Sequence, residues 1–304
     1  MKNLLAIALI FVVFAATGRT IKGTSADNDS KSINITGAGA TFPMPFYNQL
    51  IADYSTKTDK LVTYGGIGSG GGIRSLKDKV VDFGATDAYL TDKQAAELPA
   101  PIVHIPTCLG AVVLAYNLPG VATLKLKNEI LVKIFMGEIT KWNDNQIKAE
   151  NPGVNFPDLN ISVIYRSDGS GTTFIFSDYM SKISEKWAKE IGTGKTLIWP
   201  VGMSAKGNPG VAGTIQQTIG AFGYIGSEYA FSAKIPFVKL QNKAGNFIEP
   251  SVASVSAAAQ GDIPADTRVM LTNSSDPKAY PISAFTWIIL YKEQNYKGRS
   301  LQQD

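Results

Sequence analysis

The sequence predicts an α/β fold, and two features carry that prediction. Three times a short apolar segment of strand character runs into a glycine-rich turn and then into residues with helical apolar spacing: 33–36 into 46–54, 61–64 into 73–79, and 161–164 into 174–183. A long β-like run at 102–116 and a closing strand-like segment at 285–290 add sheet without adding helix. With 44% hydrophobic and 18% charged residues, the 304-residue chain can bury a real core, which removes the disordered and fibrous classes. At about 100–200 residues per domain, that length makes two domains or one large one.

Residues 1–26 read as a secretory signal. Lys2 places positive charge ahead of an unbroken apolar run at 4–16, too short to span a bilayer comfortably. No cysteine follows it, so the exported chain has no site for a lipid-modified N-terminus. Removing the segment takes away Lys2, Arg19 and Lys22 and no acids, leaving 26 basic against 25 acidic residues. That near balance argues against nucleic acid, which asks for a clustered basic excess. His104 and Cys108 are single residues of their kind, both placed in or beside the strand run, so neither an internal disulfide nor a Cys/His metal site can be assembled.

The first strand, 33–36, leads through 37–43 (GAGATFP) to the helix at 46–54, expected to present Phe46, Leu50 and Tyr54 on its apolar face. After the strand at 61–64 comes 65–72 (GGIGSGGG) and a short helix at 73–79. Residues 66–71 match G-x-G-x-x-G with Asp87 sixteen positions further on, but the helix is barely two turns and the pattern is easily met among so many glycines. Residues 80–87 run as a strand out to Asp87, at the carboxyl end where ligands collect in open α/β sheets. A short helix at 91–98 starts from Thr91 as its cap, and the run 102–116 is expected to break at Pro106, where the chain crosses from one lobe to another. A helix at 130–136 and a turn at 151–153 follow. Residues 192–196 (GTGKT) look like the end of a nucleotide P-loop, but the first glycine that pattern needs is Lys189. Residues 206–210 (KGNPG) read as a turn, 211–218 as a helix, 223–225 as the start of a strand, and 242–276 mostly as loop with a helix near 251–259.

The most informative stretch is 165–174 (YRSDGSGTTF), between the strand at 161–164 and the helix at 174–183. Asp168, Ser170, Thr172 and Thr173 are all good N-cap residues, and Gly169 and Gly171 let the backbone turn free N–H groups toward one point. A helix N-terminus with hydroxyls beside it attracts an oxyanion, and Arg166 adds a bidentate fork. The two earlier glycine-rich turns supply further donors, while Asp87 supplies an acceptor.

Together these motifs resemble the periplasmic phosphate-binding protein of the phosphate ABC transporter: GAGATFP at 37–43, GIGSGGG at 66–72, DFGATD at 82–87, RSDGSGTT at 166–173, then 192–194 with Trp199-Pro200, and Gly223-Tyr224. The resemblance implies a type II periplasmic binding protein fold of two lobes, each a sheet flanked by helices, closing on one phosphate in the cleft between them. It divides the mature chain into a first lobe of 27–106 plus 280–304 and a second of 107–279. It implies that Thr41, Phe42 and Ser69 hold the anion from one lobe and Arg166, Ser170, Gly171 and Thr172 from the other. Asp87 is then the acceptor for the proton that phosphate carries, and Asp168 pairs with Arg166 and orients it. The implied partner is the membrane permease of the transporter, with a periplasmic location, a monomeric state, no cofactor, no metal and no catalytic residue.

Two departures from the family pattern stand out. Gly70 takes the place of a second serine after Ser69, and the chain ends soon after the strand at 285–290, where the family continues with helices that complete the first lobe. A first lobe without them is expected to leave apolar surface uncovered. Two other functions compete. A phosphatase would need an activated serine, but Ser69 follows Ile67 and Ser170 follows Asp168, so neither fits G-x-S-x-G. A binder of another tetrahedral oxyanion, such as sulfate, has no use for a buried carboxylate that asks the ligand for a proton.

Overall fold

The computed structural model describes residues 34–58 and 60–294. The signal segment at 1–26 lies outside the described residues, as do 27–33 and 295–304 of the expected first lobe.

β1 (Ile35–Gly39) lies between β2 (Val62–Gly66) and β3 (Phe83–Thr86), all parallel, with Ile35 opposite Val62 and Gly37 opposite Phe83. Each of the three begins later than the segment the sequence marks out. The chain then returns on itself through α1 (Met44–Thr58) after β1 and α2 (Ser69–Lys77) after β2.

α1 is turned relative to expectation. Tyr47 is its buried residue, hydrogen-bonded to Thr107 Oγ1 at 2.7 Å and edge-on to Tyr64, whereas Phe46, Leu50 and Tyr54 are 43%, 53% and 40% exposed. Apolar residues occupy two faces of this helix, and the polar tip of Tyr47 settles which face turns inward. α2 also departs, starting at Ser69 instead of 73 and taking Gly70, Gly71 and Gly72 into its first turns. A Cβ at Gly72 would lie 2.4 Å from the Ala38 carbonyl oxygen, so the glycines let this helix rest on the backbone of β1.

α3 (Asp92–Ala95) starts from Thr91 as expected, in a capping box with Gln94, but stops short of the 91–98 that the sequence marks out. β4 (Ile102–Tyr116) then runs unbroken through Pro106 and carries both His104 and Cys108. The expected interruption is absorbed by its partner β11 (Ser283–Tyr291), whose register slips so that Thr286 faces Cys108 and Trp287 faces Pro106. Thr107, left over in this bulge, donates from its hydroxyl to Thr286 O at 3.2 Å.

β11 is antiparallel to both β3 and β4 and sits between them. Beyond Ala111 the outer neighbours of β4 change: Val112–Tyr116 pair with β8 (Ala221–Gly226), which is followed by β6 (Ser162–Arg166) and β7 (Met203–Ala205). One eight-stranded sheet results, in the order β2-β1-β3-β11-β4-β8-β6-β7. β5 (Leu124–Leu126), β9 (Val238–Gln241) and β10 (Phe247–Ile248) form a separate three-stranded sheet.

The second half of the large sheet holds the main core. α4 (Asn128–Phe135), α5 (Asn145–Glu150), α6 (Gly171–Ile183), α7 (Glu185–Glu190), α8 (Gly207–Gln217) and α9 (Ser227–Ser232) contribute buried apolar residues to it, and Phe176 stacks on Tyr224 at 4.5 Å between ring centroids. α10 (Val252–Ala258) adds Val255 to that core. α8 begins at Gly207, inside the stretch that reads as a turn, because Pro209 is tolerated in a first helical turn whose N–H groups lack partners anyway.

Candidate anion-binding site

Strand ends from both halves of the sheet supply one cluster. β1, β2 and β3 release the chain at Gly39, Gly66 and Thr86, just ahead of Thr41, Ser69 and Asp87. β6, β7 and β8 end at Arg166, Ala205 and Gly226. The cluster therefore lies outside the carboxyl ends of parallel strands.

Arg166 is the last residue of β6 and 5% exposed. Its Nε and Nη2 donate to the two carboxylate oxygens of Asp168 at 2.8 and 2.5 Å, and Nη1 reaches Thr172 Oγ1 at 3.3 Å. Asp168 also accepts from Gly207 N at 2.9 Å. Burial pushes the Asp168 carboxyl upward, but the guanidinium and that amide outweigh it and hold the group below the usual carboxylate range. Ser170 caps α6 by accepting from Thr173 N at 3.0 Å, and Gly171 and Thr172 follow in the first turn, all buried.

From the other half, Ser69 Oγ accepts from Gly171 N at 3.1 Å and from Asp87 N at 3.3 Å. Gly70 N donates to Gly169 O at 2.8 Å. Gly70 thus makes room for a close approach: a Cβ there would be 3.3 Å from the Gly169 backbone. Thr41 Oγ1 accepts from both the backbone N and Nδ2 of Asn208 at 3.0 Å each. The Phe42 ring packs into the core, against Gly110 and Gly226.

Asp87 is 1% exposed and accepts from Thr286 Oγ1 at 2.7 Å. Burial lifts its carboxyl to about 7, against the lowering effects of the Thr286 hydrogen bond and of Arg166 and Lys195. The carboxyl is therefore much more easily protonated than an ordinary one.

All nine residues anticipated for the site meet here: Thr41, Phe42, Ser69, Asp87, Arg166, Asp168, Ser170, Gly171 and Thr172. Sequence reasoning missed Asn208, whose Nδ2 also donates to Thr172 Oγ1 at 3.1 Å and whose Oδ1 accepts from Gly226 N at 3.0 Å. It missed Tyr229, which donates to Thr41 O, and Thr286. The local signal at 206–210 describes backbone shape only, and nothing in it names Thr41 as a partner.

The groups that hydrolysis would need are otherwise engaged. His104 Nε2 accepts from Leu90 N at 3.0 Å, and burial lowers its pKa to about 4. Ser69 and Ser170 accept from backbone amides. A cavity of about 690 Å³ lies elsewhere, lined by His104, Arg268, Asp92 and Leu98 among others, and it does not reach this cluster. Among the described residues no group of His, Cys, Asp and Glu is placed to hold a metal ion.

A sheet with hydrogen-bond donors gathered from both halves at its strand ends, and the carboxylates of Asp87 and Asp168 among them, has the architecture of a solute-binding protein for a small oxyanion. The PBP superfamily domain matches residues 16–303. The phosphate-binding protein PstS of Xylella fastidiosa is 39% identical over 287 residues, 91% of this chain and 78% of that one. PstS of Haemophilus influenzae is 42% identical over 266 residues, 85% and 78% of the two chains. A solved phosphate ABC transporter substrate-binding protein with bound phosphate, from Clostridium perfringens, has the same fold, with a TM-score of 0.63 over 86% of this chain and 87% of that one at 17% identity. The chain belongs to the PstS family of phosphate-binding proteins.

Proposed function

We infer that this protein binds inorganic phosphate with high affinity and delivers it to the permease of a phosphate ABC transporter. It is a transport component, not an enzyme. The observation that carries the reading is the pairing of a buried donor array, Arg166 with the first turn of α6, with a buried acid, Asp87, whose carboxyl titrates near neutral pH. Phosphate brings both the oxygens that such donors want and the hydroxyl that such an acid wants.

Arg166, Ser170, Gly171 and Thr172 hold the anion from one side, and Thr41, the Phe42 backbone and Ser69 from the other. Asp168 orients Arg166. Bonds such as Gly171 N to Ser69 Oγ and Asn208 Nδ2 to Thr41 Oγ1 join the sides directly, and phosphate oxygens take over part of them on binding. The two lobes are 27–106 with 280–304, and 107–279. The protein is exported to the periplasm through its signal segment and acts there as a monomer, without nucleic acid or cofactor. No helix among the described residues is long and apolar enough to cross a membrane.

Calorimetric titration of the mature protein with phosphate, and separately with sulfate, tests this. Tight binding of phosphate with negligible heat from sulfate is expected. Equal affinity for both would turn the reading toward a general oxyanion binder.

A further inference from the structure

Within 192–196, Lys195 acts on the site through its charge, which lowers the Asp87 carboxyl, and the segment is fastened along α6. Gly194 N donates to Ser177 Oγ at 3.1 Å, and Thr193 Oγ1 donates to Ser177 O at 3.3 Å. Lys195 O accepts from the amide of Ser170, the residue that caps the anion-binding helix, at 2.9 Å. The backbone of Lys195 is therefore fixed beside the receptor turn. Its side chain is half-buried, with Nζ lying 5.6 Å from the centroid of the Phe174 ring. Among the described residues Lys195 enters no ion pair. Burial lowers its pKa while the charge of Asp87 acts against that, so the two groups lie within electrostatic reach of one another.

Charge balance gives this lysine its role. Arg166 is forked onto Asp168, so its positive charge is largely compensated before any ligand arrives. Asp87, when ionised, would leave the site negative overall and repel an incoming anion. Lys195 is the fixed cation that offsets it.

We propose that Lys195 draws phosphate into the cleft, setting the rate of association and its salt dependence without bonding to the bound anion. The inference rests on the phosphate-binding reading and adds to it a residue with a kinetic role. A charge acting over several ångströms through a partly dry medium raises the local concentration of an oppositely charged ligand, and salt screens it.

Stopped-flow association of phosphate with the mature wild type and with Lys195→Gln, across ionic strengths from about 10 mM to about 500 mM, tests this. Lys195→Gln is expected to bind roughly three- to tenfold more slowly at low salt. Its rate should converge on the wild type at high salt, with a dissociation rate changed by less than about twofold. Lys195→Arg should keep the wild-type salt slope. Lys195→Met, which preserves the stem over Phe174 and should fold even if the glutamine variant does not, should lose the slope. Equal association rates at low salt would overturn the proposal, as would a loss confined to the dissociation rate and persisting at high salt. A wild type that takes up no phosphate under any condition would instead remove the phosphate reading itself.

Discussion

Asp87 is held near its titration point by burial working against Thr286, Arg166 and Lys195, and it carries the sharpest prediction at the scale of single residues. On the proposed reading, the ionised carboxylate accepts from the hydroxyl of phosphate and repels sulfate, and the protonated acid can donate to either. In the wild type, sulfate affinity should therefore rise as pH falls below about 7, the value burial gives the carboxyl. In Asp87→Asn, sulfate should bind better at pH 8 than to the wild type, with little further pH dependence, and phosphate should lose less than sulfate gains. Competition of sulfate against labelled phosphate measures both, and an unchanged ratio in the variant would remove Asp87 from the site. Asp87 also couples folding to pH. Its folded value of about 7 lies above the ordinary 3.8, so the folded form keeps a proton that the unfolded chain has released. The stability this contributes is present below the ordinary value and is lost as pH rises through about 7. His104 has the opposite sign: lowered from 6.5 to about 4, its contribution is present above the ordinary value and lost as pH falls toward 4. Urea unfolding of phosphate-free protein should show His104→Gln weakening as pH rises from about 4 to about 7, and Asp87→Asn weakening as pH falls across that window, the effect of the half-buried His104 being the smaller of the two. Arg166, Asp168, Ser170 and Thr172 were legible because they are near neighbours in the chain, whose types and spacing already describe a capped receptor turn. Asn208, Tyr229 and Thr286 were not. Each reaches a partner on a distant segment, and only the folded chain brings those segments together.

At the scale of elements, the alternation of strand, turn and helix was readable, whereas the side turned inward was not always. Periodicity finds an apolar stripe on α1 but cannot choose between two stripes, and a hydrogen bond from Tyr47 to a strand far along the chain makes the choice. Pro106 reads as a break because a proline has no N–H for a ladder, yet the register slip in β11 lets β4 continue past it. The start of α2 was hidden by its glycines, which lower helix propensity while permitting contact with β1. That contact can be tested. Gly72→Ala forces a Cβ to 2.4 Å from a backbone oxygen and should cost about 1–3 kcal/mol in urea unfolding. Gly213→Ala, within α8 and with nothing within 4 Å of the added Cβ, should stabilise by about 0.5–1 kcal/mol. A stabilising Gly72→Ala would mean that α2 is free to lift from β1.

For the molecule as a whole, β4 joins both halves of the sheet, pairing with β11 along most of its length and with β8 at its end. Phosphate held between strand ends of the two halves should stabilise them together, so the melting temperature should rise with ligand concentration, by the equivalent of about 2.7 kcal/mol at a hundredfold excess over Kd. Arg166→Ala should melt close to the phosphate-free wild type, lose roughly 2–5 kcal/mol of affinity, and show no such rise under the same conditions. A full ligand-induced rise in that variant would place the anion elsewhere. The strand order also bears on synthesis. β11 occupies the middle of the sheet, yet among the described residues it is the last strand to be made. Until the ribosome has passed Tyr291, β3 and the first part of β4 have no strand between them, and their edges stay open. A chain made only as far as α10 therefore carries the first half of the sheet as an open three-stranded unit, with the edge of β3 and the first part of β4 awaiting the same strand.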